Sequence, residues 1–567
     1  MKKENTEEKD TGRVLTPQEE DSYSVFKREL KDTKKKAKRV AVLTGVLCLV
    51  AGTVIGGAAY FVYSGNEETR LLKKSVTENW LYKGNYTDTE LDTAVKVLKN
   101  GENLVSYFDQ FTAYAKTKED LGLTTSYSGV YGFSYVPTSA YLDDGTRIGG
   151  EKVTRIIDGN LAHSVSEEKG ESLEVGDVFV AFRPSGEENY TYIQDVPHSY
   201  VTTLSVGNSP EKKADLLFLD KDDRSYKTFK GVAPGSAGTI PVTLSSFDEN
   251  KKQLSLKIWT FVTDNGHGVA DALKSYLSSY VSAWGEIDSL VLDLRDNGGG
   301  YTSDGYYSAC LFLPKGSTVY AEGDNELNVK KRYVQGGDPS FSEEKVKKIS
   351  LLVNKNSASC TELFANALVE NDRAELYGSR SYGKGVQQLV VNIDGLFGRK
   401  YGVLKVTNSK ILTPKGNCVE NEFDAKGNIS VHHGMVPEDS NRTDISYYTY
   451  NENIVTDAEI EKEFSLTGVD GKTYSFGTRG LTEYGKVQVL DELKKTNPTS
   501  YSSVNPTDDT SFRNALKAYQ VEKKIYEEGK ANGLYDTRTM YALVGELESL
   551  YAQGQEEEVN FVLNRSI

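Results

Sequence analysis

The run LDLRDNGGG, Leu292–Gly300, decides how this chain is read. Together with Ser289–Leu294 it forms a short apolar stretch that ends in charge and then in three glycines. A run of that length bounded by a turn reads as a strand buried on both faces. Glycines let backbone N–H groups approach a ligand closely, as stabilising an oxyanion requires, so the turn is a candidate oxyanion site. Outward from it the pattern alternates. Leu254–Val262 reads as a strand, Val269–Ala283 as a helix, Ile349–Val353 as a strand and Ser359–Glu370 as a helix. Such alternation predicts an α/β layer architecture around a largely buried sheet.

Two further segments carry chemistry. Asn356-Ser357-Ala358-Ser359-Cys360-Thr361-Glu362 follows a strand and opens a helix, which places Ser359 where the backbone dipole favours developing negative charge. Ser359-x-x-Glu362 also has the form of a capping box, and most serines so placed are only caps. Gly378–Gln388 (GSRSYGKGVQQ) sets Lys384 between glycines. A lysine there is usually a solvated turn residue. To serve as a base its pKa must fall from about 10.4 to near 7, roughly 4 kcal/mol of destabilisation of the ammonium, which burial can supply. No histidine lies in these segments, so a serine–lysine pair is favoured over serine–histidine.

The three segments in this order resemble the signature of the carboxyl-terminal processing, or tail-specific, serine peptidases: DLR-x-N-x-GG, SAS-x-x-E and GKG-x-QQ. Gly402-Val-Leu-Lys-Val-Thr, Leu412-Thr-Pro-Lys-Gly416 and Gly434-Met-Val-Pro-Glu438 continue the family order, and the likeness covers residues 66 to 440. The resemblance implies that Ser359 is the nucleophile, Lys384 the base 25 residues on, and Gln388 the residue that orients the lysine. It implies Gly299 and Cys360 N–H as oxyanion donors, and neither metal nor cofactor. The chain departs from the family pattern at Gly298, where proline is usual, and at Cys360-Thr361, where Ala-Ser is usual. A thiol beside the nucleophile at a helix N-terminus leaves a cysteine mechanism open, although the register to Lys384 favours Ser359.

Upstream, residues 125 to 231 carry short β-like runs. Val153–Gly159 followed by Leu173–Phe182, with its Gly176-Asp177 turn, resembles a PDZ domain. That resemblance implies binding of an extended C-terminal tail, with its carboxylate held by backbone N–H groups near Gly132. A plain β-rich insertion is the other reading. Residues 66 to 118 read as helical, with a capping box at Thr87-x-x-Glu90, and suggest a stalk. Near the C-terminus, Ala515–Gln520 and Asn532–Leu543 resemble small helical peptidoglycan-binding domains; a generic helical hairpin explains them as well.

Location follows from Val40–Tyr63, 24 residues without a charge, enough for a helix of about 36 Å to cross a ~30 Å hydrocarbon core. Lys34–Arg39 precedes it and Asn66-Glu67-Glu68 follows, so the positive-inside rule places residues 1–39 in the cytoplasm and the rest outside. A cleaved signal peptide is the competing reading, but the apolar run is long for one. With 82 acidic and 67 basic residues among 567, the net charge of −15 argues against nucleic acid as a partner. The expected organisation is a cytoplasmic tail (1–39), a single transmembrane helix (40–63), a helical N-terminal region (64–124) and a PDZ-like β-rich domain (125–231). An α/β serine peptidase core (232–444) and a C-terminal region (445–567) with helices from about 510 follow. The expected partners are protein or peptide tails, the membrane and, through the C-terminal helices, peptidoglycan. A catalytically inactive peptide-binding or wall-binding scaffold on the same fold is the alternative.

Overall fold

The computed structural model describes residues 55–565, apart from 122–125, 157–160, 162–163, 206–212, 234, 239, 264–265, 396–397, 425, 444–449 and 470. Most of the apolar stretch Val40–Tyr63 lies outside the described residues; among those described, no helix is long and apolar enough to cross a membrane.

At the centre is a five-stranded sheet whose spatial and chain orders coincide: Val242–Asp248, Gln253–Ile258, Ile287–Asp293, Val346–Val353 and Glu375–Gly378. The first pair is antiparallel and the remaining pairs are parallel. Ile287–Asp293 is buried on both faces, which explains its unbroken apolar run. Leu290 and Leu292 join a core with Leu273, Leu363 and Phe364 from the covering helices. Val291 faces the opposite way, toward Val562 near the C-terminus. Because Asp293 pairs in parallel with Leu352, the two strands end side by side. The glycine turn after one and the serine turn after the other therefore emerge at the same edge.

A second sheet supplies the other wall. Ala113–Ala115, Lys400–Leu412, Thr318–Gly323 and Val329–Val334 lie in that order, and Val386–Asp394 also pairs with Lys400–Leu412. Here the sequence expectation of a wholly helical stalk needs correction. The helices Ile55–Asn79 and Asp88–Lys99 form, the latter with its Thr87–Glu90 capping box, but Ala113–Ala115 is a strand. Three residues carry no readable period; their partner, Lys405 to Val403, comes from a distant part of the chain. Nor does the segment stand free, since Leu72, Val76, Trp80, Leu91 and Val95 share a core with Leu404 and Val406.

Phe133–Tyr141, Arg147–Ile156, Val178–Pro184, Ala214–Leu219 and Tyr226–Val232 form an antiparallel sheet, with Thr191–Tyr192 added to it and the helix His198–Ser205 beside it. Phe133–Tyr141 is an edge strand. The C-terminal region is continuous with this sheet. Tyr519, Tyr535, Tyr541 and Leu543 lie in one core with Phe179, Phe218 and Tyr200. The final helix, Thr537–Arg565, crosses from the β-rich sheet to the central one. Its Gly545 is pressed on the edge strand, where a Cβ would stand 2.6 Å from Ser139 N and 3.1 Å from Thr138 C.

Alanine gains about 1 kcal/mol over glycine inside an exposed helix. Overpacking against backbone reverses that, so Gly545→Ala is expected to destabilise by about 1–2 kcal/mol, seen as a lower urea midpoint at unchanged slope. A raised midpoint would show that the helix is not seated on this strand.

Candidate active site

Ser359 caps the helix Cys360–Val369 with φ +60° and ψ −118°. A non-glycine residue keeps such a conformation, which costs about 1–3 kcal/mol, only where its surroundings over-determine it. Glu362 is at the centre of those surroundings. Its buried carboxylate accepts from Ser359 N (2.9 Å), Ser381 Oγ (2.5 Å), Gly383 N (2.7 Å) and Lys384 N (2.8 Å). The glutamate of the apparent capping box thus ties the serine turn to the lysine loop. Burial pushes its carboxyl above the usual range, against the pull of these four donors.

Ser359, only 9% exposed, and Lys384 line one cleft, walled by Tyr320, Leu363, Ile411, Leu412 and Val419. Lys384 Nζ donates to Gln388 Oε1 (3.1 Å) and stands 4.6 Å from the Phe111 ring centre. Desolvation, followed by the nearby Lys405 cation, lowers its pKa to about 8; Glu420, Asp109 and Glu362 oppose the shift. The shift brings the neutral amine, which can accept a proton, closer to neutral pH. Glu420, whose Oε2 accepts from Gly385 N (2.5 Å), is itself pushed up to about 7 by burial.

The glycine turn packs against the serine. A Cβ on Gly299 would stand 2.9 Å from both Ser359 Cβ and Cys360 N, so glycine is required for the approach. Asn297 O accepts from Ala358 N (3.0 Å) and Thr361 Oγ1 (2.9 Å), joining the turn to the serine segment. Gly299 N–H donates to the side chain of Asn297 at 3.0 Å and must turn from it to meet an oxyanion. Gly298, where proline is usual in the family pattern, has nothing within 4 Å of its missing Cβ.

The thiol alternative fails on burial. Cys360 Sγ lies inside the core, 3.0 Å from Tyr301 O, and burial pushes it well above the ordinary thiol range. A thiol in that setting is inert. Gly132 is not among the residues that line this cleft. It has φ +90° and directly precedes the edge strand Phe133–Tyr141. The C-terminal run is spent on its own turn: Asn532 Oδ1 accepts from Gln520 Nε2 (2.9 Å) and Leu534 N (2.8 Å), while Tyr535 is buried.

Sequence reasoning missed Phe111, Asp109, Lys405 and Glu420. No local pattern marks them; each acts through placement. Asp109 accepts from Trp80 Nε1 (2.7 Å), Phe111 N (3.0 Å) and Thr407 Oγ1 (3.0 Å), which fixes the Phe111 loop against Lys384.

A sheet edge that joins a glycine turn, a strained serine at a helix start and a desolvated lysine is the arrangement that serine hydrolysis calls for. Residues 242–431 match peptidase family S41. The chain is 30% identical over 260 residues to a "Probable CtpA-like serine protease" of Staphylococcus haemolyticus, covering 45% of this chain and 42% of the relative. A namesake from Staphylococcus epidermidis is 33% identical over 257 residues, 45% of this chain and 43% of the relative. The chain thus spans less than half the length of these relatives. Among solved structures, the photosystem II D1 C-terminal processing protease aligns at 21% identity with a TM-score of 0.38, covering 67% of this chain and 94% of that one.

If neutral Lys384 is the working form, kcat/KM should rise with pH through about 8. Glu420→Gln removes an anion that favours the ammonium, so the rising limb should move to lower pH. Lys405→Gln removes a cation that disfavours it, so the limb should move higher. Profiles that coincide with wild type would disprove this electrostatic account.

Proposed function

We propose that this chain is a membrane-anchored endopeptidase, facing away from the cytoplasm, that cleaves protein tails with Ser359 and Lys384. The cleft shared by the strained serine and the desolvated lysine carries this reading. Ser359 Oγ attacks the scissile carbonyl carbon while neutral Lys384 Nζ takes the hydroxyl proton. The resulting oxyanion is received by Cys360 N–H, the first amide of its helix and one without an intrahelical acceptor, and by Gly299 N–H once it leaves Asn297. Lys384 then returns the proton to the departing amine, and the acyl-enzyme is hydrolysed by water that the same lysine deprotonates. Gln388 orients the amine throughout.

Tail recognition is assigned to the β-rich sheet as a PDZ-like domain. In support, Phe133–Tyr141 is an edge strand just after the Gly132 loop, and Tyr135 Oη reaches Val201 O of the flanking helix at 3.5 Å. An extended tail can add to such an edge. Anchoring rests on the apolar Val40–Tyr63 and the basic cluster before it.

Ser359→Ala and Lys384→Ala should each abolish cleavage of an unstructured protein without loss of fold, and the double variant should be no worse than either. Undiminished cleavage by Ser359→Ala would take the nucleophile's role away from Ser359. Amidating a substrate's C-terminus should cost about 1.5–3 kcal/mol of charge-assisted hydrogen bonding, a drop of roughly one to two orders of magnitude in cleavage efficiency. Equal cleavage of free and amidated tails would remove tail recognition. Protease added to spheroplasts should digest residues 66–567 yet spare an epitope within residues 1–39; loss of that epitope would overturn the topology.

A further inference from the structure

The oxyanion turn is gripped by a helix from outside the peptidase core. Arg295 Nη1 donates to Glu558 Oε2 (2.6 Å) and to Gln555 O (3.0 Å), both on Thr537–Arg565. The rest of the guanidinium is paired with Asp293, at 2.9 Å through Nε and 2.7 Å through Nη2. One residue on, Asp296 Oδ2 accepts from Tyr551 Oη (2.9 Å) and Gln555 Nε2 (3.3 Å) of the same helix. Its Oδ1 accepts from the side chains of Asn354 and Asn356, both at 2.8 Å, at the start of the serine segment. Asp296 sits at φ +61°, a left-handed conformation that a residue with a Cβ keeps only under constraint.

The far end of the turn is fixed as well. Phe261 N donates to Gly299 O (2.9 Å) and Tyr301 N to Phe261 O (2.8 Å). Between these anchors lie Asn297, itself held through its carbonyl by Ala358 N and Thr361 Oγ1 and through its side-chain amide by Ile258 O, then Gly298 and the Gly299 amide, the part that must rotate to receive an oxyanion. A brace works only if it is held itself, and this helix is. Arg147 Nη2 donates to Ala542 O (2.9 Å), Tyr541 Oη to Glu151 Oε1 (2.8 Å), and Val562 packs on Val291 and Leu352.

We propose that Tyr551 and Glu558 are positioning residues for the reaction: by holding Asp296 and Arg295 they set where Gly299 N–H stands relative to Ser359. Neither touches the reacting atoms. The inference rests on the peptidase reading above.

The test uses the full-length protein in detergent. Tyr551→Phe keeps the ring and removes one hydroxyl; Glu558→Gln keeps the shape and removes the charge. Glu556→Gln, on the exposed face of the same helix, is the control. Removing an oxyanion donor outright costs about 10²–10³ in kcat, so loosening one should cost on the order of tenfold. KM should stay within about twofold. Affinity for a peptide boronate, whose tetrahedral adduct on Ser359 places an oxygen at the oxyanion site, should fall in step with kcat. The control should match wild type. Wild-type kcat in both variants would overturn the proposal. So would a loss of kcat matched by loss of folded protein, with boronate affinity per folded enzyme unchanged. Wild-type protein that neither cleaves nor binds the boronate would remove the peptidase reading itself, and the proposal with it.

Discussion

The buried carboxylate of Glu362 is the constraint on which the rest of the site depends. It accepts from Ser359 N on one side and from Ser381 Oγ, Gly383 N and Lys384 N on the other. A buried anion without such donors would be expensive; with four it is stable and fixes the relative position of two loops. The strained Ser359 backbone sits within this arrangement. The loop holding Lys384 is pinned one residue further on by Glu420, so three successive amides, Gly383 to Gly385, are committed to carboxylates.

Lys384 is then tuned by groups that arrive from elsewhere. Phe111 covers it from the N-terminal region, Lys405 repels it from the neighbouring strand, and Glu420 and Asp109 limit how far the ammonium is destabilised. Desolvation and these charges together lower its pKa to about 8. The N-terminal region is therefore part of the site, through the Asp109 cluster and the Ala113–Ala115 strand, rather than a spacer. The C-terminal region is integrated in the same way. One core runs from Phe179 and Phe218 to Tyr541 and Leu543, and a second contact seats Val562 on the central sheet.

Much of this was legible in the chain itself. The apolar run Ser289–Leu294, buried on both faces, and the alternation around it gave the α/β core because burial dictates composition and period. The motif order singled out Ser359, Lys384 and Gln388, and the last two are joined by a hydrogen bond. Gly299 could be marked as a close-approach residue because only a missing side chain allows that geometry. Tertiary structure alone decided what surrounds these residues. Whether Cys360 is reactive or inert depends on which side of the helix faces the core. Whether Lys384 is a solvated turn residue or a base depends on Phe111, Lys405 and Glu420, far from it in sequence or set by strand register. Glu362 reads locally as a helix cap and becomes the hub of the site only when the lysine loop folds over it. Local sequence fixes backbone propensity and the faces that must be buried; dielectric environment and charge proximity are sums over residues that only the fold brings together.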